Sequence, residues 1–525
     1  MTFDLADIDL LSSATKAFVT GDESLKGLFG GSHPYYSDIA AIDGKKGFRP
    51  ENRKILAGVL RSQYGETLES SPELKKNIDL LEQPDTFTIT TGQQVHLFLG
   101  PALVFYKIIA TIKAAEYYRS LHPNYHFLPV YWLASEDHDF EEIRSTKVFQ
   151  HTFDWDTRQG GATGRFHVRE VRHIIDSVRN ELSLSVQNLA LLEHIEAIYD
   201  SSASLSEASR KLVHFLFGKY GLICLNADNK QLKTIFLPEM KQELTERLNI
   251  TRFNEFSSRM EGLGLSLQLK ARDINLFYLS EGKRSRITFE NGWYNVHETE
   301  ISFTLEQLLS DLGQHPENYS PNAVLRPVYQ EAVLPNICYI GGNAEVNYWL
   351  QLKEVFDYNR ISPPRLVLRP SVWIVPAKVR NWLEKKGITR TELFAVKDDR
   401  QLLAMLEHNA PELQEKIAEF SALKKDIQDM AATEGSKHLK ELVELGKAYE
   451  KLLKTTETDI HRNRKEKLDG DFKKLESIRT DFYDLHHVQE RNMSTLELLI
   501  KYDNVLTLIY NSLEFKPSQG QIINF

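Results

Sequence analysis

Hydrophobic positions follow two different patterns along the chain, and the pattern changes near residue 385. Before that point, short apolar runs rich in β-branched residues alternate with segments of helical spacing. After it, almost every segment has helical spacing, and glycine and proline are rare. We therefore expect an α/β core over residues 1–385, a helical coiled-coil domain over 386–513 and a C-terminal tail over 514–525.

The first part of the chain contains a strand–helix–strand pattern. Residues 86–90 are mostly β-branched, apolar residues recur at helical spacing from Val104 to Ala115, and "FLPVYWLA" at 127–134 is apolar throughout. Such a unit implies parallel strands with a right-handed crossover. Further strand candidates, each beside a helix-like segment, extend the pattern to a doubly wound α/β fold: Leu222–Asn226, Val333–Ile340 and Arg365–Leu368.

Two stretches, at about 150–200 and 250–320, interrupt this alternation and are interpreted as insertions into the core. In the helical part, one apolar stripe runs from Leu442 to Ile460 and another from Leu468 to Leu485, with steps of mostly three and four. This spacing predicts an antiparallel helical hairpin or coiled coil. It fits a bundle packed on the core, or a protruding coiled coil that pairs with a second copy.

Composition narrows the class of protein. The net charge of −9 argues against non-specific binding to nucleic acid or anionic membranes. The most apolar stretch, Val95–Ala110, is broken and too short to span a bilayer, and the N-terminus lacks the basic region of a signal peptide. The two cysteines, Cys224 and Cys338, form no CxxC pair, which is consistent with a cytoplasmic protein.

The motif "TGQQVHLFLGP", at 91–101, is the first candidate binding segment. Gln93 and Gln94 follow a strand directly, and each amide offers both donors and an acceptor. Gly92 allows close approach of a ligand to the backbone, and Gly100 precedes a helix whose N-terminal amides can hold an anion. Lys107 lies two turns into that helix and would have to reach back. The motif fits a turn with a helix cap equally well.

The second candidate segment is "SEDHDFEEI", at 135–143, directly after the next buried strand. Glu136, Asp137, His138 and Asp139 place four ionisable groups where acid–base chemistry is usually found in α/β folds. Asp139 with Glu142 also fits a capping box. We interpret Asp139 as partly structural, and Glu136 and His138 as facing a ligand. One histidine among three acids has no diagnostic ligand spacing, so no metal is predicted.

The third candidate segment is "CYIGGNAEVNYW", at 338–349, which again reads as strand, glycine pair and helix. Gly341, Gly342 and Asn343 precede a helix start that can hold phosphate or carboxylate, while Glu345 can serve the helix dipole alone. Arg326, upstream, can pair with a ligand anion or with a local acid. Convergence of three such junctions at one sheet edge predicts an active site.

These motifs in series resemble the BshC family, the cysteine-adding enzymes of bacillithiol biosynthesis. The resemblance rests on "TGQQ" followed by "GP", "PVYWLASEDHDFEEI", "SPNAVLRPVYQEAVLPN", "YIGGNAEVNYW" and "VQER". It implies a Rossmann-like core related to nucleotidylyl-transferases and class I synthetases, and a coiled coil that forms a homodimer. The carried-over positions are Gly92, Gln93, Gln94, Gly100, Pro101, Glu136, Asp137, His138, Asp139, Arg326, Gly341, Gly342 and Glu345. The chain departs from the family pattern at His96, Leu99, Asn343 and "HHVQER".

The resemblance implies a ligase that joins L-cysteine to the amino group of glucosaminyl-malate. Amide formation in water needs an activated carboxylate, so ATP is the expected co-substrate, although the sequence has no Walker A loop and no GxGxxG motif. We expect activation near Gly341 and Gly342, proton transfer to His138 or Glu136, and orientation of the sugar or malate by the glutamine pair. Two alternatives stay open: a nucleotidyltransferase-like enzyme adenylating another acid, and a nucleotide-binding assembly protein.

Overall fold

The computed structural model describes residues 2–7, 10–30, 33–389, 392–395, 401–402, 405–406, 411–484 and 487–524. These residues form two compact units, one containing the chain up to Trp373 together with Glu490–Ile523, and the other containing Ile374–Gln489. The sequence pattern predicts that residues 490–513 are part of the helical domain. They belong to the first unit because the amide of Thr495 donates to the Gly100 carbonyl at 2.7 Å, and that of Ala102 to Met493 at 2.8 Å.

A five-stranded parallel sheet forms the centre of the first unit. Its strands are β1 (Thr86–Gln94), β2 (His126–Ala134), β3 (Ile223–Asn226), β4 (Asn336–Gly341) and β5 (Arg365–Leu368). They lie in the order β5-β4-β1-β2-β3, which is the strand order of a doubly wound fold. The order reverses between β1 and β4, so the expected ligand crevice lies at the carboxyl ends of these two strands.

The β1–helix–β2 unit agrees with the sequence prediction. Helix Ala102–Leu121 connects the two strands and is buried along most of its length, which explains its nearly continuous apolar sequence. The predicted strand Val333–Ile340 begins later, at Asn336. Residues Arg326–Val333 form a helix instead, with Pro327 in its first turn, where the missing amide of a proline has no cost.

A second, antiparallel sheet is formed by residues in and next to the stretch at 250–320 that the sequence predicts to be an insertion. In spatial order, its strands are Ser302–Phe303, Trp293–Val296, Lys283–Glu290, Leu276–Ser280 and Tyr319–Pro321. Smaller antiparallel pairs join Ser145–Val148 to His151–Asp154 and Thr2–Asp4 to Gln519–Asn524.

Helices surround both sheets of the first unit. No helix that the structure describes is both long and apolar enough to cross a membrane. The α-helices of the first unit are Ser13–Thr20, Glu23–Phe29, Asp38–Lys45, Pro50–Tyr64, Pro72–Leu80, Ala102–Leu121, Phe140–Ile143, Val171–Glu181, Val186–Asp200, Leu205–Phe217, Lys230–Ile235, Leu237–Glu246, Asn249–Gly262, Leu305–Gln314, Arg326–Val333, Asn343–Leu350, Lys353–Asn359, Thr495–Lys501 and Val505–Ser512.

The second unit is mainly helical, with helices Ala377–Lys385, Glu392–Ala395, Pro411–Thr433, Leu439–Lys467 and Asp469–Phe482. The two longest helices form an antiparallel hairpin, because Phe420 packs on Tyr449 with ring centroids 4.4 Å apart and Lys424 forms an ion pair with Glu450. Within the stripe beginning at Leu442, Tyr449 contacts the preceding helix, whereas Leu445 and Leu452 are exposed. The second stripe is buried in the last helix as far as Phe482, and its end, Leu485, lies outside the described residues.

Candidate active site

A cavity of about 570 Å³ opens at the carboxyl ends of β1, β2 and β4, beside the antiparallel sheet. It lies at the reversal of strand order, where α/β folds bind their ligands. All three candidate segments reach it, as does the helix that carries Arg326. The predicted residues that line it are Gly92, Gln93, Gln94, Glu136, Asp137, Arg326, Gly342 and Glu345.

Lys107 connects the first and third segments beneath the cavity. Its Nζ donates to the Gly92 carbonyl at 2.6 Å and to Gln93 Oε1 at 3.1 Å, and it forms an ion pair with Glu345 Oε2 at 2.6 Å. Burial lowers the pKa of Lys107, against the pull of the carboxylate of Glu345. Lys107 thus reaches back from its helix, as the sequence suggested, and it uses its donors on the protein rather than on a ligand.

Glu345 is more than a partner for the helix dipole. Its Oε2 accepts a hydrogen bond from the Gly342 amide at 2.8 Å, and its Oε1 accepts one from the hydroxyl of Tyr339 at 2.7 Å. Burial raises its pKa, but the charge and hydrogen bond of Lys107, with those two donors, lower it further, so that the net direction is down. Glu345 is therefore a fixed anion that holds the end of β4 to the start of the next helix.

Arg326 contacts the same helix but forms no ion pair among the described residues. Its guanidinium donates to the hydroxyl of Tyr348 at 3.0 Å and to Gln330 Oε1 at 3.1 Å. Arg369, which follows β5, binds Glu490 through both Nη atoms at 2.6 and 2.9 Å, while its buried Nε has no partner. Both arginines line the cavity beside Gly342. They supply donors suited to a carboxylate or a phosphate.

Glu136 lies in a buried charge cluster on the other side of the cavity. It forms an ion pair with Lys233, which also lies 3.7 Å from Asp228. Asp228 in turn receives both donor nitrogens of Arg165, at 2.6 and 2.8 Å. Burial raises the pKa of Glu136, and the charge of Asp228 adds to the rise. Glu136 is 13% exposed, toward the cavity, so it is a carboxylate suited to accept a proton there.

Asp137 organises the turn that follows β2. Its Oδ1 accepts hydrogen bonds from the amides of His138 at 2.7 Å and Asp139 at 3.3 Å, and its Oδ2 accepts one from Gln94 Nε2 at 2.7 Å. Burial raises its pKa, but these hydrogen bonds and the charge of Arg284 outweigh it, so that the pKa is lowered. Asp137 therefore stays ionised and fixes the position of Gln94.

His138 lies beside the cavity wall rather than on it, and its ring is half exposed. Its Nδ1 lies 3.1 Å from Nη1 of Arg284, which leaves the proton of the neutral ring on Nε2. Burial and the charge of Arg284 lower its pKa. Because the Nδ1 lone pair is already bound, His138 is a weaker candidate base than Glu136.

Four other predicted residues do not line the cavity and have structural contacts. Asp139 caps helix Phe140–Ile143 through the amide of Glu142, at 3.4 Å. Asn343 Oδ1 accepts a hydrogen bond from the amide of Ser12 at 3.0 Å. The carbonyl of Gly341 accepts one from the amide of Arg369 at 2.9 Å. Gly100 is the fourth.

Gly100 has φ +65°, and a Cβ there would lie 2.7 Å from the Cβ and Cγ of His96. Only glycine fits this turn, and His96 accordingly packs into the core, where burial lowers its pKa to about 4. The neighbouring Leu99 has φ +71°, a conformation that favours small residues over leucine. Here the Gly100 turn does not present helix amides to the cavity.

The cavity is strongly cationic although the whole chain is acidic. Its lining contains seven basic residues against three acids, namely Lys270, Arg272, Arg284, Arg286, Arg326, Arg369 and Arg491 against Glu136, Asp137 and Glu345. The acids are held by Lys233, Gln94 and Lys107. Of the lining residues, Lys270, Arg272 and Arg286 come from the insertion and form no ion pair among the described residues.

The sequence pattern does not predict these insertion cations, because isolated charges in a loop-rich segment are usually solvated. Arg369 had a usable signal, since it follows the predicted strand Arg365–Leu368 at the same sheet edge as the other segments. Lys233 had none, because it lies within an ordinary helix. Across the described residues, no group of three or more His, Cys, Asp or Glu side chains is arranged to hold a metal ion.

Comparison with known proteins agrees with the Rossmann-like fold of the first unit. The family model described as the N-terminal Rossmann-like domain of the bacillithiol biosynthesis protein BshC matches residues 1–370. A relative from Christiangramia forsetii is 34% identical over 92% of this chain and 90% of its own length. One from Cytophaga hutchinsonii is 32% identical over 92% of this chain and 91% of its length, and one from Flavobacterium johnsoniae is 39% identical over 67% and 66%. All three carry the provisional name cysteine ligase BshC. The chain belongs to the BshC family.

Proposed function

We propose that this protein joins L-cysteine to the amino group of glucosaminyl-malate, forming the amide bond of bacillithiol. As a member of its family, the chain is an enzyme of the cysteine-ligase type. The observation that carries the substrate assignment is the excess of cations in the cavity. Malate bears two carboxylates and cysteine one, so both substrates present carboxylate groups that such a cavity attracts.

The free cations and the glutamine pair assign an orientation to the substrates. The insertion supplies Lys270, Arg272 and Arg286, which suit the two malate carboxylates. The carboxylate of cysteine then lies near Arg326 and Gly342, at the other end of the cavity. Gln93 Oε1 and Gln94 Nε2 are already bound, which leaves the amide donors of Gln93 and the carbonyl of Gln94 for the sugar hydroxyls.

In this arrangement Glu136 accepts the proton of the attacking amine. The amine nitrogen forms a bond to the carboxyl carbon of cysteine, the activated oxygen leaves with its electron pair, and the N–H proton moves to Glu136. Burial keeps the proton affinity of Glu136 high, and Lys233 fixes its position. Leu103, Trp132 and Phe277 give the cavity apolar walls that limit the access of water.

ATP, when bound, supplies the activation that a carboxylate needs before it forms an amide. The donors beside Gly342 fit an anionic phosphate, because Arg326 has no carboxylate partner among the described residues and Nε of Arg369 is buried without an acceptor. A phosphate group and the carboxylate of cysteine would therefore share the Gly342 end of the cavity.

The test is a thiol and precursor profile, by mass spectrometry, of cells that lack the gene and carry it back on a plasmid. The deletion is expected to remove bacillithiol and accumulate glucosaminyl-malate. The wild-type gene should restore the thiol, and Glu136→Gln should not. Glu141→Gln is the matched control, because Glu141 lies on the adjacent helix with its side chain 77% exposed. An unchanged thiol pool in the deletion strain would contradict the proposed reaction.

We also propose that the helical hairpin of the second unit pairs with a second copy of the chain. The hairpin exposes apolar side chains along both of its helices, namely Leu423, Ile427, Met430, Leu445, Tyr449 and Leu452. Such a continuous apolar stripe is uncommon on a helix that faces only solvent. Pairing of two hairpins would cover it, as in other coiled-coil dimers.

A further inference from the structure

A second cavity, of about 790 Å³, lies in the first unit between helices Val186–Asp200 and Leu205–Phe217 and the start of helix Pro72–Leu80. It shares no lining residue with the active-site cavity. Nothing in the proposed reaction uses it. Its composition nevertheless indicates a ligand of defined chemistry.

Arg210 is the unusual residue of this second cavity. It is only 7% exposed, and its Nη1 is buried without a hydrogen-bond acceptor. No carboxylate among the described residues forms an ion pair with it; its guanidinium lies 4.8 Å from the ring centroid of Tyr64. A buried charge without a counter-charge is unfavourable, and a ring face offsets only part of that cost. Among the described residues, Glu207 is close enough for its charge to act on Arg210 but forms its ion pair with Lys211 at 2.9 Å, so Arg210 has no anion in direct contact.

The groups around Arg210 are also mainly cations and hydrogen-bond donors. His214 binds the hydroxyl of Ser71 through Nε2 at 3.0 Å, and its buried Nδ1 has no partner. If the Ser71 hydroxyl donates to Nε2, then Nδ1 carries the proton and presents a second unused donor. Lys211 and Lys219 also line the cavity, and the only acid in the lining is the exposed Glu73.

We propose that this cavity is a binding site for the oxyanion group of a small metabolite, a phosphate or a carboxylate. Arg210 and Nδ1 of His214 donate to the oxyanion, and Lys219 adds to the positive field. The apolar lining of Ala197, Ile198 and Phe215 accommodates the carbon part of the molecule. The stacked rings of His194 and Phe215, with centroids 5.4 Å apart, form a flat wall for it. This proposal does not depend on the reaction at the first cavity.

The test measures the melting temperature of the full-length protein in inorganic phosphate, in acetate and in chloride at equal ionic strength. A ligand that binds only the folded state raises the melting temperature. We expect phosphate or acetate to stabilise the wild type beyond chloride, and the more effective of the two identifies the oxyanion class. Arg210→Met should abolish this shift and should not lower the melting temperature in chloride, because it removes an uncompensated buried charge.

The control is Arg252→Met, which removes an arginine on an exposed helix face and should leave the anion effect intact. By calorimetry, Arg210→Met should weaken anion binding about ten- to hundredfold, the usual effect of losing a charged hydrogen bond. Arg210→Lys should fold and bind with intermediate affinity. The proposal fails if neither anion stabilises the wild type. It also fails if the effect persists in Arg210→Met, or if that variant is destabilised in chloride.

Discussion

Replacing Lys107 by methionine tests whether the buried ion pair with Glu345 holds two edges of the candidate active site together. The ammonium of Lys107 is 1% exposed and contacts three acceptors, including Glu345 Oε2 at 2.6 Å. The methionine side chain has a similar length and fills the same space without a charge. The substitution therefore leaves the Glu345 carboxylate without its counter-charge in a site of low polarity.

The expected loss of stability is about 3 kcal/mol, the lower end of the range for removing one partner of a buried ion pair. The lower end applies because Glu345 keeps its hydrogen bonds from Gly342 and Tyr339 and its side chain is 21% exposed to the cavity. Adding Glu345→Gln to Lys107→Met should recover part of the loss, because the unpaired charge disappears.

The assay is equilibrium urea unfolding followed by the fluorescence of the buried residues Trp132 and Trp349, which lie in the first unit. Lys75→Met is the control, since Lys75 is exposed and its 3.5 Å contact with Asp79 should contribute less than about 0.5 kcal/mol. If Lys107→Met unfolds within about 1 kcal/mol of the wild type, the charge of Glu345 is solvated through the cavity, and the ion pair does not hold the site.

Three further predictions concern the turn at the end of β1 and the hairpin. Because burial lowers the pKa of His96 to about 4, only the unfolded state binds a proton as pH falls from about 6.5 to 4. In urea unfolding, His96 alone should account for about 3 kcal/mol of the stability lost over that range, in addition to the share of His33, whose pKa is also lowered to about 4, so His96→Phe should lose about 3 kcal/mol less than the wild type. Gly100→Ala should lower stability by about 1–3 kcal/mol, from its positive φ and its clash with His96, whereas Gly47→Ala, with open space, should not. Leu445→Glu should give a monomer by light scattering, and Lys447→Glu should leave the dimer intact; a wild-type monomer would contradict the pairing proposal.

The sequence predicted the central fold because its apolar runs fit the periods of buried strands and helices. β1 and β2 lie within a few residues of their predicted positions, and the strand order follows from the crossover rule only in part. The start of β4 was predicted three residues too early, because Val333 and Leu334 are as apolar as the strand that follows. Val333 is instead the last residue of a short helix that begins at Arg326. Hydrophobic pattern alone does not distinguish the end of a helix from the start of a strand here.

The sequence predicted the candidate site residues as segments, and only the turn geometry shows which of them face the cavity. Glu136 faces the cavity and His138 lies outside it because Asp137 accepts the amides of the two residues that follow it, which turns the chain away from the sheet edge. Nothing in the order of four ionisable residues predicts that turn. The cations of the insertion were missed for a different reason: they are distant in sequence, and only the fold places them opposite the strand ends.

Two buried lysines neutralise two of the three carboxylates that line the cavity, and this leaves the cavity positively charged. Lys107 and Lys233 approach Glu345 and Glu136 from the protein side, so each carboxylate is balanced by a cation that no ligand needs to displace. The cations on the opposite wall, contributed by the antiparallel insertion, then have no acid left to pair with. An acidic protein thereby maintains a positive cavity, which would attract the several carboxylates of the proposed substrate without engaging Glu136, the proposed proton acceptor. This arrangement depends on the ion pair between Glu136 and Lys233. Loss of Lys233 should therefore disturb both the proposed substrate binding and the proposed proton transfer.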